Sequence, residues 1–250
     1  LSGLLEGRVV LVTAAAGAGL GYATAKRCAE EGARVVISDM HERRLAEAAE
    51  RLTEVMGDKP AAIGCDVRDT AQVDALIEAA VRAEGRIDVL VNNAGLGGDR
   101  PVVEMTDAEW DRVVDVSLTS VFRATRAALR HMLPRRSGVI VNMASVSGWR
   151  AQVNQAHYAA AKAGVMAFTR CVALEAAPAG VRVNAVAPSL AMHPFLEKTV
   201  SRELLEELTS REAFGRAATP EEVANVVVFL ASDLSSYMTG EVVSVSNQHP

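Results

Sequence analysis

Three cysteines are all that this 250-residue chain holds, far apart at Cys28, Cys65 and Cys171. An odd count without CxxC spacing excludes a disulfide framework and a zinc ribbon. The three read as small buried apolar side chains. The five histidines form no HxxxH or HxH pair, so no metal site is expected. No apolar run approaches the roughly 18 residues that a bilayer span needs. The first residues lack the pattern of a signal peptide, which makes cytoplasm the expected compartment. A basic surplus is missing too: 26 Lys and Arg face 31 Asp and Glu, for a net charge of −5. Such a chain repels phosphate backbones, which excludes nucleic acid as the expected partner. Its basic residues sit among acids, as Arg43 and Arg44 do beside Glu42 and Glu47, and read as solvated helix faces. Internal repeats and low-complexity segments are also lacking.

What is present is a half-hydrophobic chain long enough to bury a large core without staples. Short β-branched runs at 8–13, 34–38, 61–65, 89–92, 138–143, 181–186 and 242–245 predict strands. Between them, helical periodicity covers 20–31, 43–56, 71–84, 107–131, 156–177 and 221–232. Thr106 or Asp107 before Glu109, and Thr219-Pro220 before Glu221 and Glu222, read as helix starts. The strands are apolar rather than alternating, as when helices cover both faces of a parallel sheet. The expected fold is therefore α/β, a doubly wound (Rossmann) parallel sheet of about seven strands in one domain, 1–250. Residues 188–216, with Pro194 and a helical piece at 197–209, interrupt that rhythm and predict a lid over a substrate site.

The first strand runs into Thr13-Ala14-Ala15-Ala16-Gly17-Ala18-Gly19-Leu20-Gly21, and a helix follows at once. Glycine there lets the backbone turn tightly and approach a pyrophosphate seated on the free amides of the helix. An ordinary tight turn is the plainer alternative. Asp39 ends the second strand, 18 residues after Gly21. A carboxylate there suits two ribose hydroxyls and repels a 2′-phosphate, so NAD(H) is preferred, with NADP(H) possible because Arg43 and Arg44 lie close. A turn or helix-cap role for Asp39 is the plainer alternative.

Tyr158 and Lys162 stand four apart in a helical segment and share one face. A phenol with a pKa near 10 must drop by roughly 2–3 pH units to act as a base near neutrality. A neighbouring ammonium and a cationic nicotinamide are the charges that would lower it. Ser145 follows the fifth strand at the sheet's C-terminal edge, where open α/β sheets bind ligands. By spacing alone, Tyr-x-x-x-Lys is commonly a surface pair.

These residues, with Asn92-Asn93-Ala94-Gly95 after the fourth strand, Asp66-Val67 after the third and Ser145 thirteen before Tyr158, resemble the short-chain dehydrogenase/reductase family over nearly the whole chain. The resemblance implies an enzyme that moves a hydride between a nicotinamide and an alcohol or ketone carbon. It implies that Tyr158 is the general acid/base, that Lys162 lowers its pKa and binds the nicotinamide ribose, and that Ser145 orients the substrate oxygen. The implied cofactor contacts are the loop Ala15–Gly21, Asp39 and Met40, Cys65, Asp66 and Val67 at the adenine, Asn93, Ala94 and Gly95, and Pro188, Ser189, Ala191 and His193. Association through the long helices and last strand implies a homotetramer.

The chain departs from the family pattern at three places. Ala15 replaces the leading loop glycine, tolerable where φ is negative. Ser117 stands where a fourth catalytic residue, Asn, holds a relay water. Pro188-Ser189 replaces Pro-Gly, and His193 stands where Thr touches the nicotinamide amide. Trp149, Gln152 and Gln155 should line the mouth with Arg150 and Asn154; residues 97–100, Met192, Phe195 and Leu196 should form the facing wall, apolar with polar rims and suited to a bulky hydrophobic alcohol or ketone. The strings Gly148-Trp149-Arg150-Ala151-Gln152 and Ser246-Asn247-Gln248-His249-Pro250 resemble actinobacterial members linked to steroid or acyl-CoA breakdown. The alternatives are a 3-oxoacyl-thioester reductase using NADPH, a non-catalytic dinucleotide-binding regulator, and an S-adenosylmethionine enzyme, which would have no use for the Tyr158–Lys162 pair.

Overall fold

The computed structural model describes residues 3–194, 196 and 202–247. Seven parallel strands form one sheet: β1 (Val9–Thr13), β2 (Arg34–Asp39), β3 (Ala61–Gly64), β4 (Val89–Asn92), β5 (Gly138–Met143), β6 (Val181–Pro188) and β7 (Val242–Val245). Their order is β3-β2-β1-β4-β5-β6-β7. The chain winds outward from β1 in one direction, returns, and continues from β4 in the other. β1 and β4 therefore pair at the switch point, where their C-terminal ends leave a crevice.

Side chains alternate across the sheet, and both faces are covered. Val10 and Val12 pack with Ala25 of α1 (Leu20–Glu30), Leu52 of α2 (Glu42–Met56) and Val227 of α8 (Pro220–Ala231). Val9 and Leu11 face Leu76 of α3 (Thr70–Glu84), Met132 of α5 (Ser120–Arg135) and Val172 of α6 (Ala156–Ala176). This double burial makes the central strands continuously apolar. Edge strand β3 shows half-exposed alternation instead, because less covers it.

The expected helix 107–131 is two helices. Thr106 caps α4 (Asp107–Val114) in a reciprocal box with Glu109, and a π turn at Asp115–Thr119 separates it from α5. Ser117, inside this turn, belongs to the site described below. Thr219 caps α8 by the same box, with Glu222. Cys28 and Cys65 are buried as expected, but Cys171 is exposed, because it lies on the outward face of α6.

Past β6 the chain leaves the sheet. Ala218 N–H donates to Leu190 O at 2.8 Å and Met192 N–H to Ala218 O at 2.9 Å, so the two legs of the 188–216 segment meet at its root. Its helix α7 runs Arg202–Ser210, within the expected lid. The first part of the expected 197–209 helix, and Phe195, lie outside the described residues.

Candidate active site

The glycine loop closes around β4. Asn93 Nδ2 donates to Thr13 O and Ala14 O, both at 3.0 Å, and Thr13 Oγ1 accepts from Asn93 N–H at 3.0 Å and Ala94 N–H at 3.2 Å. Ala14 is held at φ +52° by this clamp, while Ala15, the family's departure, keeps an unstrained backbone and is buried. A Cβ on Gly21 would lie 2.5 Å from Ala14 O and 2.4 Å from Asn93 Nδ2, so only glycine lets α1 come this close. Gly19 gives α1 no side-chain cap. The first amides of α1 thus face the crevice with a positive helix end, the arrangement that suits a diphosphate. His193 leans over the loop, its Nδ1 3.9 Å from where a Gly19 Cβ would sit, and accepts from Leu196 N–H at 3.3 Å.

Asp39 is 8 % exposed at the tip of β2. Its carboxylate accepts Ala16 N–H at 3.2 Å and His41 N–H at 3.0 Å, anchoring the loop to β2. Burial raises its pKa, and the Ala16 amide and Arg44 charge pull back. Met40 beside it is exposed, and Cys65 is buried with its amide on Asp39 O at 3.0 Å. Asp66 is engaged by Arg68, which donates from Nη2 at 2.6 Å and holds the carboxyl below its usual range. Val67 is half-buried next to it.

Across the crevice stand the three expected chemical residues. Ser145 lies just past β5, 9 % exposed, and its Oγ accepts Ser147 N–H at 3.2 Å. Ser145 neighbours the phenol of half-buried Tyr158 and pulls its pKa down. Lys162 is 3 % exposed, its Nζ 5.6 Å from the centre of the Tyr158 ring and donating to Met143 O at 2.7 Å. Gly148 fixes the serine turn to α6: a Cβ there would lie 2.9 Å from Ala163 N. Beneath, a buried polar ladder ties β4, β5 and the helices. Asn92 Nδ2 donates to Asn142 Oδ1 at 2.8 Å and to Thr125 Oγ1 at 3.0 Å, and Asn142 Nδ2 donates to Thr169 Oγ1 at 2.9 Å. Asn92 was expected only as the first residue of the Asn92-Asn93-Ala94-Gly95 element, and Thr125, Asn142 and Thr169 were not expected. Their signal is an amide inside each of two apolar strands, which demands a buried partner.

Two expectations need correction. Lys162 together with a cationic nicotinamide was expected to lower the Tyr158 pKa; in the protein by itself burial raises it, and neighbouring Ser145 offsets only part. Burial also brings the Lys162 ammonium down from 10.5 to about 8, so part of the lysine is neutral near that pH. A lowered phenol pKa therefore needs charge from outside the chain. Ser117 was read as a catalytic candidate at the place of the family's relay-water Asn. Its Oγ instead donates to Leu96 O and accepts Leu96 N–H, both at 2.9 Å, which spends its proton. This paired bond is what the π turn accommodates, since the extra residue swings Ser117 toward Leu96.

Of the expected mouth residues, Trp149 and Gln152 are exposed, Gln155 and Met192 are half-buried, and Arg150 Nη2 donates to Ser246 Oγ at 3.3 Å. Pro188 closes β6; Ser189 N–H donates to Val245 O at 3.0 Å and its Oγ to Glu212 Oε2 at 3.4 Å. Ala191 is buried and bridges Ala218. Gly95 lies over Lys162, 3.3 Å from its Nζ to a would-be Cβ. The glycine loop, Asp39, Ser145, Tyr158, Lys162, Gly95 and His193 thus gather along the C-terminal edge of the sheet. Of the expected substrate-side residues, Phe195 lies outside the described residues.

This arrangement defines an α/β oxidoreductase fold with a tyrosine–lysine–serine centre. A family model described as "Enoyl-(Acyl carrier protein) reductase" matches residues 14–247. A Mycobacterium tuberculosis protein named (5R,7aS)-5-hydroxy-7a-methyl-1-oxo-2,3,5,6,7,7a-hexahydro-1H-indene-carboxyl-CoA reductase is 66 % identical over 249 residues, covering 99 % of this chain and 95 % of its own. The 3-oxoacyl-[acyl-carrier-protein] reductase FabG of Thermotoga maritima is 42 % identical, over 96 % of this chain and 97 % of its own. The crystal structure of a short chain dehydrogenase from Mycobacterium smegmatis superposes with a TM-score of 0.88 at 60 % identity, covering 99 % and 95 % of the two chains. The chain belongs to the short-chain dehydrogenase/reductase family and is an NAD(P)-dependent oxidoreductase. None of its described helices is long and apolar enough to cross a membrane.

Proposed function

We propose that the protein interconverts a secondary alcohol and a ketone on a bulky, hydrophobic ring compound carried as a CoA thioester, with NAD(H) as its preferred dinucleotide. The observation that carries the chemistry is the buried Lys162 Nζ 5.6 Å from the centre of the Tyr158 ring, with Ser145 beside them past β5 at the sheet's switch edge. The substrate class rests on the name of the 66 % identical relative.

The residues divide the work. Loop amides at the start of α1 bind a diphosphate, and Asp39 accepts the adenosine ribose hydroxyls while opposing a 2′-phosphate. Asp66 and Val67 flank the adenine, and His193, with Pro188 to Ala191, covers the nicotinamide end. The nicotinamide supplies or takes the hydride. Ser145 holds the substrate oxygen, and Tyr158 gives or takes its proton. Lys162, one turn from the phenol, would bind the ribose, and a cationic nicotinamide held there would lower a pKa that burial keeps high. Ser117 seats Leu96 rather than relaying a proton. The 188–216 segment acts as a lid hinged where Leu190 and Met192 meet Ala218. A homotetramer is proposed as the working assembly, with exposed Phe122 and Leu174 on its helix faces.

The test is a spectrophotometric screen of NADH and NADPH oxidation with bicyclic ketones, free and as CoA thioesters. The proposal expects turnover of a bicyclic keto-acyl-CoA with NADH favoured over NADPH. Turnover confined to NADPH and short linear 3-oxoacyl thioesters would replace it with the acyl-carrier reductase reading.

A further inference from the structure

His157 immediately precedes Tyr158 on α6, is 2 % exposed, and plays no part in the chemistry above. Its buried Nδ1 has no hydrogen-bond partner among the described residues. An imidazole kept in such a place needs a reason, since a buried nitrogen left without a partner destabilises the fold.

The reason lies in the loop that leaves β4. Of residues 95–100, Gly95, Gly97, Asp99 and Arg100 are exposed, and only Leu96 and Gly98 turn inward. Leu96 is tied by the two Ser117 bonds. Arg100 N–H donates to Asn154 O at 2.9 Å, which joins the loop to the segment between Ser145 and Tyr158. Between these ties Gly98 lies on His157: a Cβ there would be 2.3 Å from Nε2, 3.0 Å from Cε1 and 3.5 Å from Cδ2. The backbone of Gly98 is not left-handed, so its conformation does not call for glycine. The imidazole alone excludes a side chain. Gly95, at the loop's start, already lies over Lys162.

We propose that His157 is a positioning residue whose ring seats Gly98 and so sets the distance between the 95–100 loop and Tyr158, fixing the width of the substrate slot. Two consecutive residues of one helix thus supply the reacting phenol and the gauge of the wall facing it. Because the ring acts by volume, position 98 should tolerate a methyl group once the ring is removed. This rests on the reading of Tyr158 as the reacting group, so one arm of the test avoids turnover.

In that arm, amide hydrogen exchange is compared in wild type and His157→Ala. Exchange across 96–100 should accelerate at least about tenfold, with β5 and the rest of α6 unchanged. Equal exchange in the loop would overturn the proposal. In the kinetic arm a decalone is reduced with NADH. Gly98→Ala should raise KM for the ketone about tenfold or more, with kcat and NADH affinity within about threefold. Adding His157→Ala to Gly98→Ala should return KM to within about threefold of wild type. A Gly98→Ala defect that persists without the imidazole, or that falls equally on NADH binding, would overturn the proposal. If wild type turned over no ketone, the functional reading would fail, and exchange would still decide this one.

Discussion

Replacing Lys162 with methionine should strengthen the fold while abolishing most turnover. The ammonium is 3 % exposed, and burial takes its pKa from 10.5 to about 8. At about 1.4 kcal/mol per pH unit, holding it charged in the folded state costs about 3 kcal/mol at pH 7. Methionine keeps the stem and removes the charge, but it loses the bond from Nζ to Met143 O, worth about 1–2 kcal/mol. The net gain is about 1–2 kcal/mol, or roughly 2–8 °C in Tm for a chain of this size. The pH dependence has a definite sign. Between about 8 and 10.5 the unfolded lysine holds a proton that the folded one has released, so wild-type stability rises with pH across that window. The variant cannot gain in this way, and its advantage should shrink and vanish by about pH 10. Cys28, pushed up to about 12, and Cys65, pushed up to about 11, titrate nearby in the opposite sense. They do so in both proteins and drop out of the difference. Urea unfolding of both proteins at pH 7 and pH 10, at one protein concentration, measures it. A variant less stable at pH 7, or an advantage constant with pH, would refute the reasoning.

Asp39→Ala should lower the NAD-to-NADP ratio of kcat/KM by about tenfold or more, read by paired initial rates, because the carboxylate that opposes a 2′-phosphate is gone. Ser117→Ala strands the amide and carbonyl of Leu96 and should cost about 2 kcal/mol in chemical unfolding, whereas Ser117→Asn keeps a donor and an acceptor and should retain activity. Ala14→Gly relieves φ +52° and should raise stability by about 0.5 kcal/mol in thermal melts; a loss would mean the clamp by Asn93 needs the methyl.

The sheet was legible because its strands are buried on both faces, so apolar runs such as Val9 to Val12 stand out without periodic ambiguity. Tyr158, Lys162, Ser145 and Asp39 were legible once their order and spacing along the chain were set beside the family pattern, since the Tyr158–Lys162 spacing by itself reads as a surface pair. What was hidden depends on contacts between distant segments. The π turn keeps a helical pattern through 107–131 and is set by Ser117 meeting Leu96, 21 residues away. The Asn92–Asn142 pair joins residues 50 apart, and the fit of Gly98 to His157 joins a loop to a helix that no local rule connects. The direction of the Tyr158 pKa was misread because a neighbouring ammonium is visible in the sequence while burial is not.

Tyr158→Phe, followed by NADH fluorescence for binding and absorbance for turnover of the same ketone, reaches the core of the account. Removing the phenol oxygen should cut kcat by at least about a hundredfold and leave NADH affinity within about threefold of wild type. A phenylalanine variant that turned over at the wild-type rate would show that the proton travels by another group.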